Sequence, residues 1–248
     1  MSEFHSPVLF AAVERLSGDY DLSMLAYPSK DPHEIKARIS SMKQLGISSL
    51  GVREVGGRHE PFVLGKGVRG VVVLGLMNYQ KVAVKLLRTD SPVKSMQKEA
   101  VMHYRANSMH VGPKIIQWTD DMIVMEYVEG IKLGELFTKE HPASLSTSIE
   151  QVLEQCHTMD VNALDHGQLT NSSDHVIVDR TLKPYIIDFS HSSTARKPSN
   201  VTSFVSYITR VLKRYDNTYL IECLKDYKKG FPKTEFEKVK QTVLSMLR

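Results

Sequence analysis

The sequence predicts an α+β fold in two parts, a sheet with one covering helix followed by a mainly helical half. Three observations predict it. From Pro61 the chain runs in short β-rich segments separated by turns. Beyond Gly130, apolar residues recur at helical spacing. One hairpin, formed by 176–178 and 185–187, interrupts those helices. The 248 residues, 42% hydrophobic and 24% charged, suffice for one large domain or for a small one plus a medium one.

Taken in order, Ser6 as N-cap and Pro7 at the first helical position predict a helix carrying Val8, Leu9, Ala12, Val13 and Leu16. A second helix begins at Asp31-Pro32-His33-Glu34, with Asp31 as cap and Glu34 in the capping-box position. Its stripe is Ile35, Ile39 and Met42, and Gly46 ends it. Apolar segments 22–27 and 47–52 flank this helix, so residues 1–57 read as a small α/β extension bounded by Gly56-Gly57. Residues 58–129 predict five strands and a helix: a meander of 61–65, 71–76 and 81–87, the helix over 93–109, then strands 114–119 and 122–128. Residues 130–248 form a reduced helical part. Its stripes are Ile149, Val152, Leu153 and Cys156; Phe204, Ile208, Val211, Leu212 and Tyr215; Leu220, Leu224 and Tyr227; and Phe236, Val239, Val243 and Met246. Each stripe reads as core.

Cys156 and Cys223 are too few for a disulfide framework, which points to a reducing cytoplasm and leaves oxygen or histidine for any metal. No run approaches the roughly 18 apolar residues of a membrane span, so a soluble, cytoplasmic protein without membrane contact is expected. The net charge of +4 is unevenly placed: residues 191–248 hold 12 Lys and Arg against 5 Asp and Glu. Such a tail attracts phosphates, nucleic acid or an acidic partner, or forms solvated helix faces.

The segment Gly65-Lys66-Gly67-Val68-Arg69-Gly70-Val71-Val72 fits G-x-G-x-x-G-x-V. A dinucleotide fingerprint would open a helix after its third glycine, whereas here the chain returns as a valine-rich strand. That is a hairpin tip folding over nucleotide phosphates, with glycines permitting close approach; a glycine-rich hairpin without a ligand is the alternative. Lys85 lies on the next strand in Val82-Ala83-Val84-Lys85, and Glu99 follows 14 residues later on the helix. A Lys85–Glu99 pair would hold the ammonium toward the α- and β-phosphates of ATP. Backbone at the end of strand 122–128, around Glu126 and Val128, can bond an adenine edge, with Val71, Ala83 and Met125 sandwiching the ring. Asp188, at the exit of the hairpin, is an oxygen ligand suited to magnesium on phosphates. Glycine loop, strand lysine, helix glutamate, hinge and hairpin aspartate follow the order of a protein kinase.

At this point the chain resembles the protein-kinase-like superfamily, within it the atypical RIO-type kinases and the kinase subunit of the KEOPS complex. It is most similar to the predicted archaeal serine/threonine protein kinases. The resemblance runs through Leu87-Arg88-Thr89-Asp90, Val111-Gly112-Pro113-Lys114, Met125-Glu126-Tyr127-Val128-Glu129-Gly130, Asp165-His166-Gly167-Gln168-Leu169, Ile186-Ile187-Asp188-Phe189 and Ser199-Asn200-Val201-Thr202. It covers roughly residues 60–215 and implies a two-lobed protein-kinase-like fold. It further implies Gly65, Lys66, Gly67, Gly70 and Lys85 on ATP, Glu99 pairing Lys85, and Asp188 on Mg2+.

One departure stands out. RIO-like kinases carry H-G-D-L followed by Asn, where this chain has His166-Gly167-Gln168-Leu169. Gln168 cannot accept a proton as a carboxylate would. The metal-binding Asn position falls on His175 if two residues are inserted, or on Ser173 if none are. Asp165 is an alternative base and Asp174 an alternative ligand. Phosphoryl transfer depends mostly on positioning and electrostatics, so the expected function is an atypical ATP- and Mg2+-dependent serine/threonine protein kinase, acting on a protein or itself, or an ATPase switch. The alternatives are an ATP-binding pseudokinase scaffold, and an RNA- or ribosome-associated factor using the basic C-terminal helices.

Overall fold

The computed structural model describes residues 8–16, 18–215 and 217–248. The chain has an α+β fold and divides into two compact units, one of Met1–Ala100 with Lys114–Tyr127, the other of Val101–Pro113 with Val128–Arg248. No described helix is long and apolar enough to cross a membrane.

The first unit is built on an antiparallel sheet of eight strands. These are β1 (Leu9–Ala12), β2 (Ile47–Val55), β3 (Arg58–Pro61), β4 (Val63–Lys66), β5 (Gly70–Met77), β6 (Gln80–Leu87), β7 (Ile115–Trp118) and β8 (Met122–Glu126). Their order is β1-β2-β5-β6-β8-β7, with β3 on β2 and β4 on β5. Helix α1 (Pro32–Gln44) packs on one face, and α2 (Gln97–Asn107) follows β6. Side chains alternate across the pleat. Val73, Val84 and Val124 therefore join Leu25, Met42 and Leu50 in one core, while Leu87 and Ile123 meet Met96 and Ala100 in another.

The meander, helix α1 and the two later strands stand where the sequence places them. Asp31 caps α1 by accepting the His33 N–H at 2.9 Å. Glu34 accepts Arg38 Nε at 2.9 Å, and Arg38, a charge inside the apolar stripe, is buried with its other nitrogens donating to the carbonyls of Leu25 and Leu87.

Three expectations for residues 1–57 are corrected. The helix over Val8–Leu16 is instead β1 and one 3-10 turn, Val13–Arg15, because Leu9–Ala12 pairs with Val52–Ser49 at the sheet edge. A short apolar run suits a strand as well as a helix, and an available β2 edge decides between them. Ser6 and Pro7 lie outside the described residues. Gly56 and Gly57, with φ of +58° and +80°, form the β2–β3 turn, so the expected boundary falls inside a hairpin. The N-terminal segment thus adds β1 and β2 to the sheet, and with β3 the strands number eight where five were expected.

In the second unit β9 (Gly130–Lys132), β10 (Val176–Asp179) and β11 (Pro184–Ile186) form a small antiparallel sheet. Helices α3 (Leu133–Lys139), α4 (Ser146–Val161), α5 (Ser172–His175), α6 (Asn200–Val211), α7 (Thr218–Tyr227) and α8 (Lys233–Ser245) supply the rest. Most of the four stripes form one core; Val211 and Tyr215 are exposed at and beyond the end of α6. Buried Asp160 on α4 holds the start of α6. It accepts Asn200 N and Nδ2 at 2.8 Å, Val201 N at 3.1 Å and the Tyr227 hydroxyl at 2.8 Å.

Candidate functional site

In the first unit, Lys85 Nζ donates to Glu99 Oε1 at 2.6 Å, with side chains only 7% and 10% exposed. The β5–β6–β8 register explains why this lysine is buried. Val72, Lys85 and Ile123 are cross-strand partners, as are Leu74, Ala83 and Met125, so the ammonium rises from an apolar face. Burying a charge without a partner is costly, and Glu99 from the first turn of α2 supplies that partner.

The same register corrects one expectation. Val71 is paired with Leu86 and belongs to the opposite core, so it does not share a face with Ala83 and Met125. Val72, the valine of the G-x-G-x-x-G-x-V pattern, does.

Gly65–Gly70 is a hairpin tip, as expected: Gly65 pairs with Val72, Lys66 with Val71, and Gly67 N donates to Gly70 O at 2.9 Å. The three glycines differ. At Gly70 a Cβ would lie 2.9 Å from Leu86 O and 3.1 Å from Lys85 Cε, so the fold itself requires glycine there. At Gly65 a Cβ would meet nothing within 4 Å, and at Gly67 only Gly70 O at 3.8 Å. Lys66 lies with its ammonium 3.6 Å from the centre of the Tyr27 ring.

Strand β8 ends at Glu126, whose N–H donates to Lys114 O at 2.8 Å and whose carboxylate accepts Lys114 N at 3.1 Å. Half-buried Val128 begins the second unit's segment.

In the second unit His166 is fully buried. Its N–H donates to Asn200 Oδ1 at 2.8 Å and its Nε2 to Ile187 O at 3.0 Å, which fixes the tautomer and leaves Nδ1 without a hydrogen-bond partner. Burial lowers its pKa to about 4, partly offset by the Ile187 bond. Its ring meets those of His175, at 5.8 Å, and Phe189, at 5.3 Å. His175 ends the turn before β10, and its carbonyl accepts Ile187 N at 2.9 Å, next to Asp188. Asp188 adopts the left-handed conformation, φ 65°, and accepts Ser190 N at 3.2 Å. His166, His175 and Asp188 are thus brought together by this hairpin.

Two other candidates are committed elsewhere. Asp165, 4% exposed, accepts Arg196 Nε at 2.9 Å and Nη2 at 2.8 Å on one oxygen and Ser199 N at 3.2 Å on the other. Asp174 pairs with Lys132 at 2.8 Å, a bond that lowers its pKa. Gln168 is half-buried, with Oε1 enclosed and without a hydrogen-bond partner. Among the described residues, no three His, Cys, Asp or Glu side chains form a metal cage.

Sequence reasoning missed the residues that hold this loop, although the signal was present in Ser199-Asn200-Val201-Thr202. Ser199 holds Asp165, while Asn200 holds His166 and donates to Leu164 O at 2.7 Å. Val111-Gly112-Pro113 has a comparable role. Gly112, φ +80°, lies where a Cβ would strike Ile186 O at 2.9 Å, and Pro113 O is bonded by His103, whose ring stacks on Phe189 at 4.9 Å.

No curated protein matches the chain. A family model described as RIO domain matches residues 76–227, more than half of the sequence. The match starts beyond the glycine hairpin and takes in Lys85, Glu99, His166 and Asp188. With these residues on a kinase-like α+β framework, the chain belongs to the RIO domain family of atypical protein kinases and ATPases.

Proposed function

We propose that this protein binds Mg-ATP and acts as an atypical serine/threonine protein kinase on a protein hydroxyl or on itself, or turns ATP over as a switch. The observation that carries the reading is the buried Lys85–Glu99 pair, since a lysine held charged and oriented on an apolar strand is suited to nucleotide phosphates. The glycine hairpin supports it. Neither Gly65 nor Gly67 is demanded by contacts within the chain, so the space above them suits an approaching phosphate. Magnesium typically uses one or two carboxylates plus phosphate oxygens, so Asp188 suffices without a protein cage; His175, beside it, is the second candidate ligand. Glu126 and Val128 backbone would meet the adenine edge, and Val72, Ala83 and Met125 its ring.

A pseudokinase reading is favoured by one specific observation. Gln168 replaces the usual carboxylate, and Asp165, the nearby substitute, is locked by Arg196 and Ser199. An RNA-binding role gains less support, because Lys229, Lys233, Lys238 and Lys240 of the basic tail pair with Asp226, Glu154, Glu235 and Glu237. Titration with Mg-ATP, using Lys85→Ala and Asp188→Ala variants, tests the site; unchanged affinity in both would sink it. Labelled ATP, with and without cell extract, then separates turnover from binding alone.

A further inference from the structure

The motif Leu87-Arg88-Thr89-Asp90 has no role in the site described so far, yet Arg88 and Thr89 each grip another segment of the first unit, and Asp90 holds Arg88. Arg88 makes a two-pronged pair with Asp90, at 2.8 and 2.7 Å. Its third nitrogen donates to Gly67 O at 3.0 Å, and its backbone N–H to Arg69 O at 2.9 Å. The guanidinium is thereby fixed to the tip of the glycine hairpin. Thr89 turns the other way: its N–H donates to Tyr27 O at 3.0 Å, and its hydroxyl accepts Ser29 N at 3.2 Å.

Tyr27 therefore stands against the hairpin, and two cations use its ring. Lys66 Nζ lies 3.6 Å from the ring centre, and the Arg88 guanidinium carbon lies 4.9 Å from it. A lysine at a hairpin tip would otherwise sample many rotamers, whereas an aromatic face restricts its ammonium to one region. Arg88 spends its donors on Asp90 and Gly67 and is a structural tie. Lys66 has an ammonium that a stronger anion can draw from a ring face. Tyr27 lies outside residues 76–227, so it is a feature of this chain beyond the matched domain.

We propose that Tyr27 and Arg88 are positioning residues of the glycine hairpin, holding the Lys66 ammonium and the hairpin tip ready for the triphosphate. The inference rests on the Mg-ATP reading above, with Lys66 on ATP, and names two residues outside the glycine motif that serve that contact. It predicts that damage here weakens binding of the triphosphate and spares the nucleoside.

The test measures dissociation constants for Mg-ATP and for adenosine on the full chain. Lys66→Ala, at an exposed position, and Tyr27→Ala should each weaken Mg-ATP by about threefold to tenfold and leave adenosine unchanged. Tyr27→Phe keeps the ring and should bind Mg-ATP within about twofold of the unsubstituted chain. Arg88→Ala should show the same triphosphate-selective loss. Arg88→Ala serves if Tyr27→Ala does not fold. Wild-type Mg-ATP affinity in Lys66→Ala or in folded Tyr27→Ala, while Lys85→Ala is impaired, overturns this proposal and leaves the site reading intact. Equal loss of ATP and adenosine also overturns it, and absence of Mg-ATP binding by the unsubstituted chain overturns both.

Discussion

The stem of Lys85 passes over Gly70 so closely that a Cβ on the glycine would stand 3.1 Å from Cε and 3.2 Å from Cγ. The neighbouring Leu86 carbonyl, at 2.9 Å, is backbone and cannot swing aside. Gly70→Ala should therefore cost about 1–3 kcal/mol through overpacking and displace the Lys85 ammonium. Gly65→Ala, with open space around it, should change stability by less than about 0.5 kcal/mol while weakening Mg-ATP. Denaturant unfolding beside nucleotide titration checks both. A Gly65→Ala variant with reduced stability would mean that glycine is needed there by the fold.

Lys85 and Glu99 should behave as a unit. Removing one partner leaves a buried charge uncompensated, which costs about 3–5 kcal/mol. Lys85→Met and Glu99→Leu are each expected to lower stability markedly, and the double variant to lose less than the two losses added. A double-mutant cycle by urea unfolding measures this. Additive losses would show that the pair is not coupled.

Much of this arrangement was legible because it is periodic or punctuated. The valine-rich meander and the stripe Ile149-Val152-Leu153-Cys156 each repeat a period set by one backbone geometry. Asp31-Pro32 opens α1 by local capping alone. What was not legible depended on partners distant in sequence. Leu9–Ala12 becomes a strand because β2 lies beside it, and polar Arg58–Pro61 becomes one because Gly56-Gly57 folds it back. Asp165 looked like a spare base in sequence, but its oxygens are taken by Arg196 and Ser199, more than thirty residues away. The error over Val71 was one of parity, since a single-residue step in a strand changes the face.

Asp165 is expected to matter for stability before it matters for chemistry. Asp165→Asn keeps the shape but loses the charge that holds Arg196, so unfolding should occur at lower denaturant. Truncation to Ala, which strands the Ser199 N–H and the guanidinium, should cost about 1–3 kcal/mol. If ATP turnover is detectable, Asp165→Asn at a temperature where it is folded should retain it within about tenfold, less than the loss of a general base. A loss of 10²-fold or more, with the fold intact by circular dichroism, would restore Asp165 as the base.

His166 gives the fold a pH dependence of known sign. Its native pKa, about 4, lies below the ordinary value of 6.5 because burial disfavours the imidazolium. His175 opposes the charge as well, while Asp188 and Asp165 favour it. The unfolded chain therefore takes up the proton first as pH falls. The contribution is fully present above pH 6.5 and is lost between pH 6.5 and about 4, amounting to roughly 3 kcal/mol. Burial also lowers the pKa of His157, so the assignment needs a difference. Urea unfolding of the unsubstituted chain and of His166→Gln at pH 7 and pH 5 should show a shallower pH slope in the variant; equal slopes would remove His166 as the source.

Gln168 offers the most direct test of whether this RIO domain performs phosphoryl transfer. Its Oε1 is enclosed without a hydrogen-bond partner, so the position already accommodates an acceptor oxygen. An amide oxygen can orient a hydroxyl or a water but cannot take its proton, whereas a carboxylate can do both. A positioned general base contributes about 10²–10⁴ in rate. Gln168→Asp should therefore raise Lys85-dependent turnover of labelled ATP by up to that range, with little change in Mg-ATP affinity, because the residue would act on the acceptor and not on the nucleotide. The side chain is one methylene shorter and half-buried, which disfavours its ionised form, so the gain should grow as pH rises from 6 to 8. Turnover that stays absent in Gln168→Asp while Mg-ATP still binds would instead point to the scaffold reading.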